Sequence, residues 1–244
     1  DAGRRTFFKK SQNKKVRQRT IVSSQLELNH FVELGGYNEN DLYLCGLPKF
    51  DRNTINDNPE KIVVMITWRP WEFIQSLDNI EETTYYKMIK NIVDHIPEEY
   101  RKHLYVLPHP LVENQMRSAE CSLKDYVPEV MKYDDILKNT KILITDYSSI
   151  SYDAFYRGCN VIFCWQEKED CLKEYGTNAK LMLTEELAFG DVNYDYNLLD
   201  DVIRYNYNHG QKDIHLDNYK QIVEFHDGHN TERLIEMLKK EDMI

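Results

Sequence analysis

The sequence predicts an α/β protein built on a Rossmann-like, doubly wound parallel sheet. From residue 61 onwards, short apolar runs alternate regularly with amphipathic helical stretches, which is the pattern of β–α–β units. The run 61–67 is apolar without a polar alternation, as expected for a parallel strand that is buried on both faces. A chain of 244 residues that is 41% hydrophobic and 30% charged suits one large globular domain, or one domain and part of another.

The first 60 residues predict a smaller strand–helix–strand unit. Residues 19–24 contain a β-branched run, 25–34 are amphipathic and end at Gly35-Gly36, and 41–45 read as a second strand. Residues 51–60 are polar and rich in Asn and Asp, which is typical of a linker. The expected organisation is therefore 1–50, a linker at 51–60, and a large domain over 61–244.

Residues 61–244 contain the main sheet and its helices. We expect strands at 61–67, 103–107, 141–145 and 160–165. Apolar spacing predicts helices at 83–96, 134–139, 148–157, 195–207 and 230–240, and Gly158 stands where a glycine commonly ends a helix.

Charge is distributed unevenly along the chain. Residues 1–20 carry a local charge of +7. Because the whole chain has a net charge of −10, the remaining residues carry −17. An acidic body disfavours a general nucleic-acid binder. The basic start could lie against anionic lipid or be a solvated tail.

Segments that would direct the chain to a membrane or to secretion are not evident in the sequence. No apolar run approaches the roughly 20 residues that span a bilayer, and the chain begins at Asp1 without a Met or a secretory signal, so we expect a fragment of a longer protein. The five cysteines are odd in number and contain no C-x-x-C, which favours the cytosol over a disulfide framework or a zinc site.

The residues that follow each strand are the candidates for ligand binding, because ligands of open α/β sheets bind at the carboxyl ends of the strands. The first strand ends in Thr67-Trp68-Arg69, and the planar fork of an Arg suits phosphate oxygens. A surface Arg in a strand–helix loop is the alternative.

His109 follows the next strand and lies between Pro108 and Pro110. Two prolines fix the backbone around one imidazole, which could donate a hydrogen bond to a phosphate or act as a general acid. A histidine packed in a rigid turn is the alternative.

The third strand leads into Asp146-Tyr147-Ser148-Ser149 and then directly into a helix. Ser148 or Ser149 could cap this helix, and its free N–H groups with the two hydroxyls predict a phosphate site. Capping alone would explain one of the serines.

Asp227-Gly228 is a turn dipeptide that precedes the last helix, and Arg233 lies just inside that helix. This pattern suits a second phosphate contact, or equally a plain loop-to-helix junction. The sequence contains no P-loop and no dinucleotide fingerprint. His226 and His229 are three apart without a third ligand nearby, so we predict no metal site.

Taken together, these residues resemble the CDP-glycerol:poly(glycerophosphate) glycerophosphotransferases of teichoic-acid and capsule polymer synthesis. The similarity is carried, in order along about residues 20–240, by several short motifs. They are Gly46-Leu47-Pro48-Lys49-Phe50-Asp51, Thr67-Trp68-Arg69, His109-Pro110, Ile144-Thr145-Asp146-Tyr147-Ser148-Ser149 with Asp153 beyond, and Asp227-Gly228 followed by Arg233.

The resemblance implies a glycosyltransferase-B-type architecture. In it, 61–244 would be the C-terminal, nucleotide-donor-binding lobe and 1–50 the end of the acceptor-side lobe. It implies that His109 has a catalytic role and that Arg69, Ser148, Ser149 and Arg233 bind the donor pyrophosphate, supported by Thr67, Asp146, Asp227 and Gly228.

The resemblance also implies the reactants. The donor would be CDP-glycerol or a related CDP-polyol, which is a substrate, so no cofactor is expected. The acceptor would be a lipid-linked polymer. The protein would be cytoplasmic and peripheral on the inner face of the cell membrane.

One motif of the family is missing from this sequence. Family members carry a W-H-G-T-P-type segment whose histidine resembles a general base, and no such segment occurs here. We therefore expect this chain to bind nucleotide and to turn over poorly, since a lost general base costs roughly 10²–10⁴-fold. Two alternatives stay open: a UDP-sugar glycosyltransferase of the same architecture, and an interaction domain that has lost the chemistry.

Overall fold

A computed structural model of the chain describes residues 18–118, 123–176 and 183–244. The basic segment 1–17 and Cys121, about which the sequence made predictions, lie outside the described residues. The seven described strands are β1 Thr20–Val22, β2 Leu42–Leu44, β3 Lys61–Val64, β4 Leu104–Val106, β5 Thr140–Thr145, β6 Asn160–Cys164 and β7 Asp191–Asn193. The ten described α-helices are α1 Gln25–Gly35, α2 Phe73–Asp78, α3 Thr84–Asp94, α4 Glu113–Ser118, α5 Tyr133–Lys138, α6 Ile150–Tyr156, α7 Lys168–Glu174, α8 Leu199–Asn208, α9 Asp213–Ile222 and α10 Asn230–Lys240.

The main sheet has five parallel strands in the order β4-β3-β5-β6-β7. Strand β3 lies between β4 and β5, with Val63 paired to Tyr105 on one side and to Leu143 on the other. The order reverses direction at β3, because the chain moves from β3 to β4 on one side and then crosses to β5 on the other. The predicted α/β class and parallel sheet are confirmed.

Both faces of the sheet are buried. One face carries Ile62, Val64, Ile142 and Ile144, and these residues form a single core with helices α3 and α8. On the other face, alternate residues such as Leu143 are also inaccessible to solvent, and α6 packs on β5 and β6. Apolar residues at consecutive positions of the strands thus reflect a sheet covered by helices on two sides.

A separate two-stranded parallel sheet joins β1 and β2, with Ile21 paired to Tyr43. Helix α1 connects them, and its N-terminus is capped by Ser24, whose hydroxyl accepts a hydrogen bond from the Glu27 amide at 3.1 Å. Gly36 ends α1 at φ +71°, a left-handed conformation that glycine adopts readily. The predicted strand–helix–strand unit is therefore present.

The chain divides into two compact units. The first comprises the described residues up to Asn53, those within Tyr175–Phe189, and Asp213–Ile244; the second comprises Thr54–Glu174 and Gly190–Lys212. This division differs from the expected boundaries, because helices α9 and α10 belong to the same unit as β1 and β2. The assignment of an acceptor-side and a nucleotide-side role to parts of the chain stays a prediction.

Several elements were not expected from the sequence. Strand β7 is three residues long and carries polar Asp191 and Asn193, so it lacks the apolar run that marks the other strands. Helix α9 turns His215 and Asn218 towards the interior, which hides its hydrophobic periodicity. Among the described helices, none is both long enough and apolar enough to cross a bilayer.

Candidate functional site

The candidate site lies in the second unit, at the carboxyl edge of three neighbouring strands. Thr67 and Arg69 follow β3, His109 follows β4, and the segment Asp146–Ser149 follows β5. Because β4, β3 and β5 are adjacent and parallel, these three segments emerge at one edge of the sheet. The structure brings Thr67, Arg69 and Asp146 into direct contact.

Arg69 is a buried residue with a carboxylate partner. Its guanidinium is 1% exposed and lies 2.8 Å from Asp146 Oδ2, while the same nitrogen donates to the Thr67 carbonyl oxygen at 2.6 Å. Burial by itself would lower the pKa of Arg69, but the charge of Asp146, its hydrogen bond to the guanidinium and the charge of Glu167 act together with other groups to raise the pKa above the ordinary value. The predicted phosphate-binding guanidinium is thus enclosed by the protein, and its contact with a donor stays a prediction.

Asp146 joins the ends of three strands. Its Oδ1 accepts hydrogen bonds from the Thr67 amide at 2.8 Å and the Thr67 hydroxyl at 2.9 Å, and also from the Tyr147 amide. Its carbonyl oxygen accepts a hydrogen bond from Trp165 Nε1 at 3.0 Å, just beyond β6. The supporting residues Thr67 and Asp146 therefore form one hydrogen-bonded group that fixes the chain immediately before the two serines.

Ser148 and Ser149 keep their hydroxyls unused. Helix α6 begins at Ile150, and Ser149 stands at its N-cap in a helical conformation without a side-chain capping bond, so the expectation that a serine hydroxyl caps this helix is wrong. In the part of the chain that the structure describes, neither hydroxyl is hydrogen-bonded. Ser148 is half-buried and Ser149 is exposed, so both can donate to a ligand.

A cavity of about 410 Å³ opens beside the two serines. It is lined by Met65, Tyr133, Asp134, Leu137, Ser148, Ser149, Ile150, Asp153 and Arg157. The lining thus combines apolar and aromatic side chains with hydroxyls and carboxylates, as small-molecule sites commonly do. Its position at the carboxyl edge of β3 and β5 agrees with the place where the sequence predicted ligand binding.

His109 is held in a defined orientation. Its backbone amide donates to the Tyr85 hydroxyl at 2.9 Å, and its Nδ1 accepts a hydrogen bond from the Leu111 amide at 3.2 Å. Because a neutral imidazole has one donor and one acceptor nitrogen, the proton lies on Nε2. Partial burial lowers the pKa of His109, so the ring is neutral at pH 7 and offers Nε2–H as a donor.

Two aromatic residues to which the sequence assigned no role at the site lie against His109. Trp68 is nearly parallel to the imidazole, with ring centroids 6.4 Å apart and an angle of 25° between the planes. Tyr85 is fully buried, contacts Trp68 edge-on at 5.2 Å, and accepts the His109 amide. Only the tertiary contact shows that the Tyr85 hydroxyl supports the histidine.

Arg233 belongs to the first unit, where its guanidinium makes a dense set of contacts. It binds both carboxylate oxygens of Asp227 at 2.8 and 2.9 Å, donates to the Cys45 carbonyl at 3.1 Å and to Asn230 Oδ1 at 2.6 Å, and lies 4.1 Å above the Phe225 ring. Asp227 therefore already neutralises the charge that the sequence assigned to a phosphate. The pyrophosphate role of Arg233 stays a prediction.

The N-terminus of α10 is occupied by a carboxylate of the protein. Asp51 accepts hydrogen bonds from the Asn230 amide at 2.9 Å and the Thr231 amide at 2.7 Å. The sequence predicted that this helix start suits a phosphate; in the structure a carboxylate of the protein occupies the position, and a phosphate contact here stays a prediction. Gly228 adopts φ +77° in the turn that precedes the helix, which agrees with a turn dipeptide.

The comparisons with known proteins agree on one family. The model of the family described as CDP-Glycerol:Poly(glycerophosphate) glycerophosphotransferase matches residues 4–240. The minor teichoic acid biosynthesis protein GgaB of Bacillus subtilis (strain 168) is 24% identical over 225 residues, which is 84% of this chain and 24% of that protein. The teichoic acid glycerol-phosphate primase of the same organism is 23% identical over 237 residues, covering 89% of this chain and 56% of the primase.

Solved structures show the same fold. The wall teichoic acid polymerase TagF soaked with CDPG superimposes with a TM-score of 0.65 at 14% identity, over 92% of this chain and 58% of that structure. Another TagF structure gives a TM-score of 0.64 at 15% identity with the same coverage. The chain therefore spans between about a quarter and somewhat more than half the length of the proteins that it matches.

Proposed function

Because the chain belongs to the CDP-glycerol:poly(glycerophosphate) glycerophosphotransferase family, we propose that it binds the CDP part of an activated polyol donor. The protein to which it belongs would transfer a polyol phosphate to a teichoic-acid-like or capsular polymer. The observation that carries this proposal is the pair of unused hydroxyls, Ser148 and Ser149, beside a cavity of about 410 Å³ at the carboxyl edge of the sheet.

The reaction requires stabilisation of phosphate charge. An acceptor hydroxyl gives its proton to a general base and forms a bond to the phosphorus that bears the polyol, the bond from that phosphorus to the bridging oxygen breaks, and CMP leaves with the electron pair. Negative charge grows on the bridging and outer phosphate oxygens, and fixed donors stabilise it. The hydroxyls of Ser148 and Ser149 and the Nε2–H of His109 are the donors that we assign to this task.

The donor and acceptor follow from the relatives. The primase and the polymerase TagF are named for teichoic acid, and TagF has been soaked with CDPG. On this basis we assign CDP-glycerol or a related CDP-polyol as the donor and a lipid-linked polymer as the acceptor. The donor is consumed in the reaction, so the proposal includes no cofactor.

The proposal also places the protein on the cytoplasmic side of the cell membrane as a peripheral protein. Its support is the basic charge of +7 in residues 1–20 and the lipid-linked character of the acceptor. Flotation of the chain with vesicles that contain anionic lipid is the test. Recovery in the lipid fraction at low salt, and loss of recovery with neutral vesicles, is the expected result; no flotation with either vesicle contradicts it.

The nucleotide assignment is tested by calorimetric titration of the chain with CDP, CMP, UDP and GDP. We expect CDP to bind more tightly than UDP or GDP. The double substitution Ser148→Ala with Ser149→Ala should weaken CDP binding about tenfold or more, because hydrogen bonds to a charged ligand are lost. Equal binding of UDP would favour a nucleotide-sugar transferase, and the absence of binding by every nucleotide would overturn the proposal.

Ser76→Ala is the matched control for this titration. The Ser76 hydroxyl donates to the Phe73 carbonyl at 2.7 Å within α2, so its loss removes a serine hydrogen bond without touching the two free hydroxyls. We expect unchanged CDP affinity in this variant. A loss equal to that of the double variant would mean that the titration reports general destabilisation.

A further inference from the structure

A buried ion pair, Arg69 with Asp146, lies directly before the turn that carries the two serines. Arg69 and Asp146 are 1% and 0% exposed, and their nearest atoms are 2.8 Å apart. A buried charge is costly unless it is paired, so each partner holds the other in place. Both Asp146 oxygens are used, one by Arg69 and the other by Thr67 and the Tyr147 amide.

The same pair connects three strand ends to the segment that carries the serines. Arg69 and Thr67 belong to the loop after β3, and Asp146 directly follows β5. Trp165, just beyond β6, donates a hydrogen bond to the Asp146 carbonyl. The hydrogen bond from the Tyr147 amide to Asp146 Oδ1 then fixes the first peptide of the turn towards Ser148. The carboxylate of Asp146 therefore holds the first peptide of the turn that leads to the two serines.

Further contacts confine the guanidinium. Its second terminal nitrogen lies 3.7 Å from Glu167 Oε2 and 3.4 Å from the Met88 sulfur, and its centre is 5.9 Å from the Tyr147 ring. These groups surround Arg69 with protein on the side away from Asp146. A phosphate would have to displace a carboxylate to reach it.

We propose that Arg69 is a positioning residue: it binds Asp146, and through Asp146 it holds the Ser148-Ser149 turn in the geometry that contacts the donor. In this account Arg69 makes no contact with phosphate. The part of the inference that concerns the donor rests on the proposed function, whereas the part that concerns the turn does not.

The test compares Arg69→Met, Asp146→Asn and the double variant with the unsubstituted chain. Amide hydrogen exchange, followed by mass spectrometry, is read on peptides that cover 146–150, and CDP affinity is read by calorimetry. We expect exchange over 146–150 to accelerate about tenfold or more in each single variant, because a charged hydrogen bond is lost. Exchange over 146–150 and CDP affinity should change no more in the double variant than in the single variants, since the two side chains act through one contact.

If Arg69 instead bound the phosphate of the donor directly, the Asp146→Asn variant would behave in the opposite way. Removing the carboxylate charge would release Arg69 for phosphate, so CDP affinity would stay the same or increase. If Arg69 is a positioning residue, the CDP affinity of Asp146→Asn should fall about tenfold. Unaltered exchange over 146–150 in both single variants, or CDP binding in Asp146→Asn that equals or exceeds that of the unsubstituted chain, overturns the inference.

Two further variants keep the test decisive. Lys212→Met breaks the ion pair of Lys212 with Asp191 of the edge strand β7, and it should leave both the exchange over 146–150 and the CDP affinity unchanged. Thr67→Val removes only the hydroxyl bond to Asp146 and serves if the charged variants do not fold; it should accelerate exchange over 146–150 in the same direction by about fivefold. If the unsubstituted chain binds no CDP, the proposed function fails, and the exchange measurement still decides whether the pair holds the turn.

Discussion

The carboxylate of Asp51 accepts a hydrogen bond from the backbone amide of Asn230 at 2.9 Å, although 179 residues separate them in the sequence. A second bond, from the Thr231 amide at 2.7 Å, completes the cap of α10. The motif Gly46–Asp51 and the start of the last helix are therefore hydrogen-bonded to each other within the first unit. They have a structural explanation that does not require a ligand.

We predict that Asp51→Ala destabilises the chain by about 0.5–2 kcal/mol, the usual cost of losing a helix N-cap. Hydrogen bonds from Thr231 and Asn230 outweigh the effect of burial and lower the pKa of Asp51. A carboxyl with a lowered folded-state pKa contributes its full stability above its unfolded pKa of about 3.9 and loses it as the pH falls through the folded value.

The measurement is urea denaturation of the variant and the unsubstituted chain at pH 7 and at pH values down to about 2.5. We expect the difference in unfolding free energy to be largest at pH 7 and to shrink as the pH falls below about 4. A difference that is independent of pH would show that the charge of Asp51 does not contribute.

Gly46→Ala should be much more damaging than Gly36→Ala. Both glycines have positive φ, +77° and +71°, so each substitution incurs the left-handed penalty of about 1 kcal/mol. A Cβ on Gly46 would lie 2.0 Å from Asn230 Oδ1, whereas a Cβ on Gly36 meets nothing within 4 Å. We expect Gly46→Ala to cost about 2 kcal/mol more, because Asn230 must move away from Arg233. Equal denaturation midpoints for the two variants would contradict the close approach.

Tyr85→Phe should weaken nucleotide binding through His109. The substitution removes the hydroxyl that accepts a hydrogen bond from the His109 amide. That N–H is left without its partner, which lowers the free energy of unfolding by about 1–3 kcal/mol. CDP affinity should fall about fivefold, because an unsatisfied amide lets the histidine turn shift. Tyr207→Phe, which loses a hydroxyl bond to the Glu60 carbonyl, is the control with unchanged affinity. Identical CDP affinities in the two variants would show that the Tyr85 hydroxyl does not support nucleotide binding.

The titration of His109 provides a further prediction. Burial lowers its pKa, so the fold favours the neutral ring; stability from this group is complete above the ordinary value of about 6.5 and is lost as the pH falls through the folded pKa. Addition of CDP should raise the pKa of His109, because a nearby phosphate favours the protonated ring. NMR titration of the ring protons measures this, and an unchanged pKa with bound CDP would place the phosphates away from His109.

Much of the fold could be predicted from the sequence because parallel strands and amphipathic helices have distinct periodicities. The apolar run 61–67 contains β3, and α10 has the predicted bounds. Helix α9 was missed because Asn218 faces inward, where its amide donates to the Ala188 carbonyl at 2.9 Å. A buried polar residue with a specific partner leaves no hydrophobic pattern to read.

The position of the candidate site could be predicted from the sequence better than the roles of its individual residues. The sequence placed Arg69, His109 and Ser148 at strand ends, and the parallel sheet brings these ends to one edge. It could not show that Arg69 is enclosed with Asp146, or that Asp51 reaches α10, because pairing between distant residues depends on tertiary packing. Residue type indicates what a side chain can bind, and the fold determines what it does bind.

The most direct test of the central claim is a crystal structure of the chain soaked with CDP. We expect the diphosphate within hydrogen-bonding distance of at least one of the Ser148 and Ser149 hydroxyls and of His109 Nε2, with Arg69 still bound to Asp146. A diphosphate bound away from the carboxyl edge of β3, β4 and β5 would contradict the account.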